Sequence, residues 1–288
     1  MKNSFKILAL GLFVLAFGCK EQPPFIDYNP PIVLAKDTCY MATNIPQKQD
    51  KRVVVEDISG VRCVNCPQAA TAAHNIKDNN PDRVTILTLH SNGFSAFTHP
   101  YSDTFNTLEA TLIIEQLTIG TIAGLPIGAV QRKIFPGKSG TVTPYGTWAG
   151  YAASELLLKA DVNVELDVIT DKPNRKVTAN VKSSFTSAND TAVYLTLILT
   201  ESHIISEQDS KDSLITRYEH NFILRKTITP YNGILISDKA IMGQVCEKGF
   251  EFEIPKKYNY DNCSVVALVH RREIGKNIEI LQSAEVEL

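Results

Sequence analysis

The sequence lacks an excess of charge of either sign: 29 Lys and Arg stand against 31 Asp and Glu, a formal net charge of -2. That balance gives no electrostatic basis for nucleic acid or an anionic membrane surface as a partner. It also lacks a long apolar run. The most apolar stretch, Ile7 to Phe17, reaches only about 16 Å as a helix, against a hydrocarbon core of about 30 Å. A second Cys-x-x-Cys pair is absent too, and with it the thiolate pattern that would make a zinc site convincing. No metal and no cofactor is expected.

What is present begins with a targeting segment. Lys2 and Lys6 precede or open the apolar run, which ends Ala16-Phe17-Gly18-Cys19. A positive start and a short apolar stretch describe a cleaved secretory signal, so residues 1–18 are set apart from fold reasoning. The cysteine directly after Gly18 resembles the bacterial lipobox. That resemblance makes Cys19 the lipidated N-terminus of an exported chain held to a membrane; the alternative is a signal cut nearby, leaving a soluble periplasmic protein. Residues 19–49 carry Pro23-Pro24 and Pro30-Pro31 among polar residues and read as an extended tether. Length and a hydrophobic content of 44% then favour two folded domains, 50–159 and 160–288.

Of six cysteines, five remain once Cys19 is assigned to lipid, and export makes oxidation the default. Cys63 and Cys66 form a Cys-x-x-Cys pair. Cys246 and Cys263, both in the C-terminal half, are expected on neighbouring strands as a structural disulfide. Cys39 is left over, as a free thiol, an intermolecular link or a partner for one of the others.

The chemistry concentrates around the close pair. Arg52 to Ile58 is rich in β-branched residues and reads as a buried strand, Ser59-Gly60 is a turn signal, and Gln68 to Ile76 is alanine-rich and helix-forming. The order is therefore strand, CxxC, helix. Amide donors and the positive end of a helix dipole stabilise a thiolate at such a junction, with Arg62 adding charge. Cys63 is the expected exposed nucleophile and Cys66 the resolving thiol. A metal site completed by His74, His90 or His99, or an inert disulfide, are the other readings.

Three further segments resemble parts of a thioredoxin. Asp57 stands six residues before Cys63, where thioredoxins carry a buried acid that accepts the resolving thiol's proton. Arg83 to His90 supplies a second strand for a parallel unit. Leu125-Pro126, in Gly124-Leu125-Pro126, resembles the cis-proline loop that offers backbone groups to a substrate peptide. Helices are predicted over Asp103 to Leu117 and Thr147 to Lys159, and His90 and His99 flank a loop where a substrate groove would lie. From Asp161 onward apolar and polar residues alternate over about seven segments with turn clusters between them, which predicts an antiparallel β-sandwich.

The stretch Glu56 to Pro67, with His90-Ser91-Asn92-Gly93-Phe94, Gly124 to Arg132 and Tyr218 to Arg225, is similar to the Omp28-related outer-membrane lipoproteins of Bacteroidetes. The resemblance implies an α/β thioredoxin-like domain followed by an all-β immunoglobulin-like sandwich, on a lipoprotein of the outer membrane. It supplies no established reaction. The sequence therefore predicts a membrane-held thiol-disulfide oxidoreductase acting on thiols or disulfides of exported proteins. The rival is a surface binding or adhesion lipoprotein whose sandwich holds the partner.

Overall fold

The computed structural model describes residues 34–91, 93, 101–118, 124–272 and 278–288. The chain divides into Met1–Pro30 and Pro31–Leu288, and every described residue lies in the second unit. Cys19 and the signal segment, like Asn92, Phe94 and His99, lie outside the described residues.

Strand β2 (Val53–Ser59) follows from its β-branched residues and is buried at all seven positions. Alternation sorts its side chains between two apolar clusters. Val54 and Ile58 join Leu87 and Leu89, whereas Val53 and Val55 join Ala69, Ala73, Trp148 and Ala152. Helix α1 (Cys66–Asp78) buries Cys66, Ala69, Ala73 and Ile76, spaced three and four apart, so one small-residue stripe faces the sheet. Pro67 sits in its first turn, where a missing N–H costs no intrahelical bond.

Strand β3 (Val84–His90) pairs with β2 in parallel, and β4 (Ile127–Val130) pairs with the other edge of β2 in antiparallel. Between them, helix α2 (Leu108–Thr118) starts later than the predicted segment, because Phe105 is left-handed at φ 56° and turns the chain first. The short β5 (Val142–Thr143) and α3 (Trp148–Leu156) complete this half. Gly128 is required on β4: a Cβ there would stand 2.2 Å from the Glu56 carbonyl oxygen and 2.4 Å from the Trp148 ring.

The remaining strands are β6 (Val162–Asp171), β7 (Lys176–Phe185), β8 (Val193–Glu201), β9 (Ile204–Asp209), β10 (Leu214–His220), β11 (Ile223–Thr227), β12 (Ile234–Ser237), β13 (Gln244–Glu253), β14 (Cys263–Arg272) and β15 (Ile278–Glu287). One more precedes them all, β1 (Lys36–Met41), inside the stretch read as a tether. It pairs with β13 from Lys36 opposite Gly249 to Met41 opposite Gln244, so the folded part begins well before residue 50.

The predicted fold class does not survive. An α/β thioredoxin-like domain followed by a separate immunoglobulin-like sandwich requires a break near residue 160, and the sheets cross it. A nine-stranded sheet runs β15-β14-β8-β11-β3-β2-β4-β5, with β12 also on β8, and so mixes strands from both halves. The joint is the parallel contact of β11 with β3, where the Thr88 amide donates to the Phe222 carbonyl at 2.8 Å and the Thr88 hydroxyl to that of Asn221 at 3.0 Å. Val54, Ile58, Leu87 and Leu89 share one core with Ile198, Leu224, Val266, Leu268 and Ile280. Only three α-helices stand among the described residues, and the fold is mostly β. A change of hydrophobic period marked a change of element type and not the end of a core.

A four-stranded sheet, β1-β13-β7-β6, packs its Val162, Ala179, Val181 and Phe250 against Leu195, Leu197, Val265 and Ala267 of the nine-stranded one. β9 and β10 form a two-stranded sheet of their own.

The expected Cys246–Cys263 disulfide is corrected too. Cys39 lies opposite Cys246 in the β1–β13 ladder, 4.1 Å apart at Cα, and these two are bonded. Cys263 opens β14 in the other sheet and is a buried free thiol whose hydrogen faces the Asn259 carbonyl at 3.2 Å. Placing β1 in the tether removed the partner that Cys246 has.

Candidate functional site

The close cysteine pair stands where β2 gives way to α1. After Ser59 the chain turns on two backbone bonds, from the Cys63 amide to the Gly60 carbonyl (3.0 Å) and from the Cys66 amide to the Cys63 carbonyl (3.2 Å). Cys66 is the first residue of α1, and Cys63 and Cys66 form a disulfide with their Cα atoms 5.4 Å apart. Arg62 is exposed beside it. Cys63, expected to be exposed, is only 3% accessible and Cys66 2%.

Below the disulfide the two acids of β2 part company. Glu56 and Asp57 are both buried, but their side chains leave opposite faces of the strand. Glu56 receives a two-pronged pair from Arg132, Nε to Oε2 at 2.9 Å and Nη2 to Oε1 at 2.6 Å. Among the described residues neither oxygen of Asp57 has a hydrogen-bond partner. Burial alone pushes its carboxyl up to about 7. A group in that position exchanges a proton near neutral pH, which is what a leaving or attacking thiol beside it needs.

Asp57 and Cys66 line one cavity of about 20 Å³, room for about one water molecule. Its other walls include His90 and, from the second half, Gln208, Tyr218 and His220. The Tyr218 hydroxyl is raised to about 12, by burial first and by the Asp57 charge second. Burial holds His90 down at about 3 and His220 at about 4, so both rings are neutral at neutral pH. The His90 Nδ1 lies 3.0 Å from the Thr104 carbonyl oxygen, and its ring meets Phe105 edge-on.

The Gln208 amide reaches across the sequence to the dithiol turn. Its Nε2 donates to the carbonyls of Gly60 (3.2 Å) and Cys63 (3.1 Å). The Asp209 amide donates to the Val61 carbonyl at 2.8 Å. Leu125-Pro126 is a cis peptide. β4 runs antiparallel to β2 with Ile127 opposite Ile58, which sets Pro126 at the end of β2 that leads into the dithiol turn. His74 lines the same cavity from α1.

Gln208 carried no local signal, since neither spacing nor periodicity relates position 208 to position 63. Tyr218 and His220 fell inside the stretch similar to the family, without a role attached. Among the described residues no group of three or more His, Cys, Asp or Glu is arranged to hold a metal ion.

Residues 118–287 match the family of outer membrane protein Omp28. Among curated protein sequences none matches the chain. Solved structures share its fold, two of them over more than four-fifths of this chain. HBP35 of Porphyromonas gingivalis aligns with a TM-score of 0.64 at 18% identity, covering 83% of this chain and 76% of that one. A protein of Agrobacterium tumefaciens aligns with a TM-score of 0.53 at 11% identity, covering 84% of this chain and 96% of that one.

Proposed function

The chain belongs to the Omp28 family of outer membrane proteins, and from that place in the cell envelope we propose that it exchanges disulfides with exported proteins through Cys63 and Cys66. The observation that supports this reading best is the pairing of a Cys-x-x-Cys disulfide with an unpartnered buried carboxyl, Asp57, in the wall of the same cavity as Cys66. Cys19, outside the described residues, is the proposed lipid attachment point that holds the chain to the membrane.

From the oxidised form, a thiolate of the partner attacks Sγ of Cys63 and the Cys63–Cys66 bond breaks. Cys66 leaves with the electron pair and takes the proton of the Asp57 carboxyl. A second thiol of the partner gives its proton to the Asp57 carboxylate and attacks the partner's sulfur in the mixed disulfide, releasing the Cys63 thiolate. The partner's two thiols become a disulfide, and the dithiol here is reduced. In the reverse direction the Cys63 thiolate attacks a disulfide of the partner and expels one of its sulfurs as thiolate; Cys66, giving its proton to Asp57, then attacks Sγ of Cys63, which expels the partner's second sulfur as thiolate and closes the Cys63–Cys66 disulfide. Leu125 and Pro126 are the proposed contacts for the partner's backbone.

The test is capture. In cells expressing Cys66→Ala, Cys63 should accumulate mixed disulfides with exported proteins, visible as higher-mass bands that collapse on reduction. No adducts, together with no oxidation or reduction of a model peptide dithiol by the native chain, would refute the reading.

The burial of both sulfurs favours a second reading, a surface binding protein in which this disulfide is a fixed cross-link. That reading expects partner binding to be unchanged in Cys63→Ala/Cys66→Ala.

A further inference from the structure

Both cysteines are buried, and the chain's second half supplies part of the wall around Cys66. Val64, between the cysteines, is 45% exposed, so the turn itself is at the surface while Cys63 and Cys66 are not. The β9–β10 hairpin lies against this turn. Gln208, itself buried, donates to the carbonyls of Gly60 and Cys63, and the Asp209 amide donates to Val61. On β10, Tyr218 and His220 roof the cavity that holds Asp57 and Cys66.

This hairpin is attached differently from the other strands. Among the described residues its two strands pair with each other and with no larger sheet, and an isolated two-stranded hairpin is marginal by itself. It is fastened by side-chain and turn contacts instead of a ladder, among them the bonds of Gln208 and Asp209, those of Ser102 to Ser206 and Glu207, that of Tyr101 to Asp209, the rings of Phe105 and His90 against His220, and the packing of Ile204 near Val61 and Phe105. Its two ends adjoin unusual backbone. His203, just before β9, has φ 57°, and Phe222, two residues after β10 ends, has φ 58°. Neither is glycine, and a bulky residue rarely holds that conformation. A rotation at each would swing the hairpin as a unit, in the manner of hinges that absorb a large backbone change at a few terminal positions.

We propose that the β9–β10 hairpin is a hinged cover over the Cys63–Cys66 dithiol, latched by Gln208 and pivoting at His203 and Phe222, so that it selects which partners reach Cys63. The inference rests on the redox reading for its purpose and on the hairpin's attachment for its geometry. Closed, the hairpin denies Cys63 to small thiols and to bulky disulfides alike. A productive partner is one that displaces it, an extended peptide segment able to take over the backbone carbonyls of residues 60–63 that Gln208 and Asp209 now occupy.

The experiment is thiol labelling of the reduced, full mature chain with iodoacetamide, located by peptide mass, in the native sequence and in Gln208→Ala. Removing two buried hydrogen bonds from a closed state should raise the labelling rate of Cys63 roughly tenfold or more, with the Asp209 amide exchanging faster and the β14 amides as protected as before. Equal rates in the two chains, with β14 still protected, would overturn the cover. If β14 loses protection in Gln208→Ala, the native chain decides in a urea series: Cys63 labelling that rises before the global transition supports the cover, and labelling that rises only with it refutes the cover. The two readings separate cleanly. Fast native labelling with turnover on a model dithiol removes the cover alone, and slow native labelling relieved by Gln208→Ala with no turnover in either chain removes the redox reading alone.

Discussion

The amide of Thr88 on β3 donates to the carbonyl of Phe222, just before β11, at 2.8 Å. Through that bond the sheet begun by the first half continues into strands of the second. β3 would otherwise end in an open edge, and Val54, Leu87 and Leu89 would lose Ile198, Val266 and Ile280 from their core.

The two halves should therefore not fold apart. A chain ending at residue 159 is expected to be insoluble or molten, with amide exchange across β2 and β3 faster by orders of magnitude than in the whole chain. A cooperative, protected 34–159 fragment would contradict the shared sheet.

Asp57 should make stability fall with rising pH. Its carboxyl is raised from 3.8 to about 7 by burial. The folded state therefore holds a proton that the unfolded state has already lost. The contribution is fully present below about pH 4, is lost as pH rises toward 7, and is level above that, at most about 4 kcal/mol in all. Asp57→Asn should flatten this segment of the pH–stability curve, so that the variant gains on the native chain between pH 4 and pH 8 in urea unfolding. His90 and His220 act in the opposite sense, but they are common to both proteins and cancel in the difference. Parallel curves would mean that Asp57 is solvated.

Arg132→Met should be among the most damaging single changes. Arg132 and Glu56 are both fully buried, with the pair at 2.6 Å. Removing one partner strands the other charge, at a cost of about 3–5 kcal/mol. The double change Arg132→Met/Glu56→Leu should recover most of that loss. Thermal unfolding of the three variants measures it.

The Cys39–Cys246 disulfide and the free thiol of Cys263 should respond differently to substitution. Cys39→Ala/Cys246→Ala removes a cross-link spanning 207 residues of sequence, with an expected loss of roughly 2–4 kcal/mol. Cys263→Ala removes a small buried thiol and should cost only about 1 kcal/mol. Peptide mapping without reductant should recover Cys39 joined to Cys246. Recovery of Cys246 joined to Cys263 would sink this assignment.

The legible parts of this protein were those written in short-range pattern. β-branched residues before Ser59-Gly60 and alanines after Cys66 dictate a strand, a turn and a helix, because backbone propensity and alternation act over a few residues. They place Cys63 and Cys66 at a strand-to-helix junction without any help from the rest of the chain. The alternation after Asp161 likewise marks strands β6 to β8 and β13 to β15.

What only the tertiary structure decided involves partners far apart in sequence. Which sheet a strand joins depends on edges and on shared core, so β11 on β3 and β1 on β13 left no local trace, and the fold class and the Cys246 bond were misread with them. Register settled Glu56 and Asp57: one meets Arg132 and the other stays unpartnered beside Cys66. The sequence alone determined where the dithiol stands along the chain. The β9–β10 hairpin, arriving some 145 residues later through Gln208, supplies part of the wall around Cys66, because burial is set by what packs against a residue and not by its neighbours in the chain.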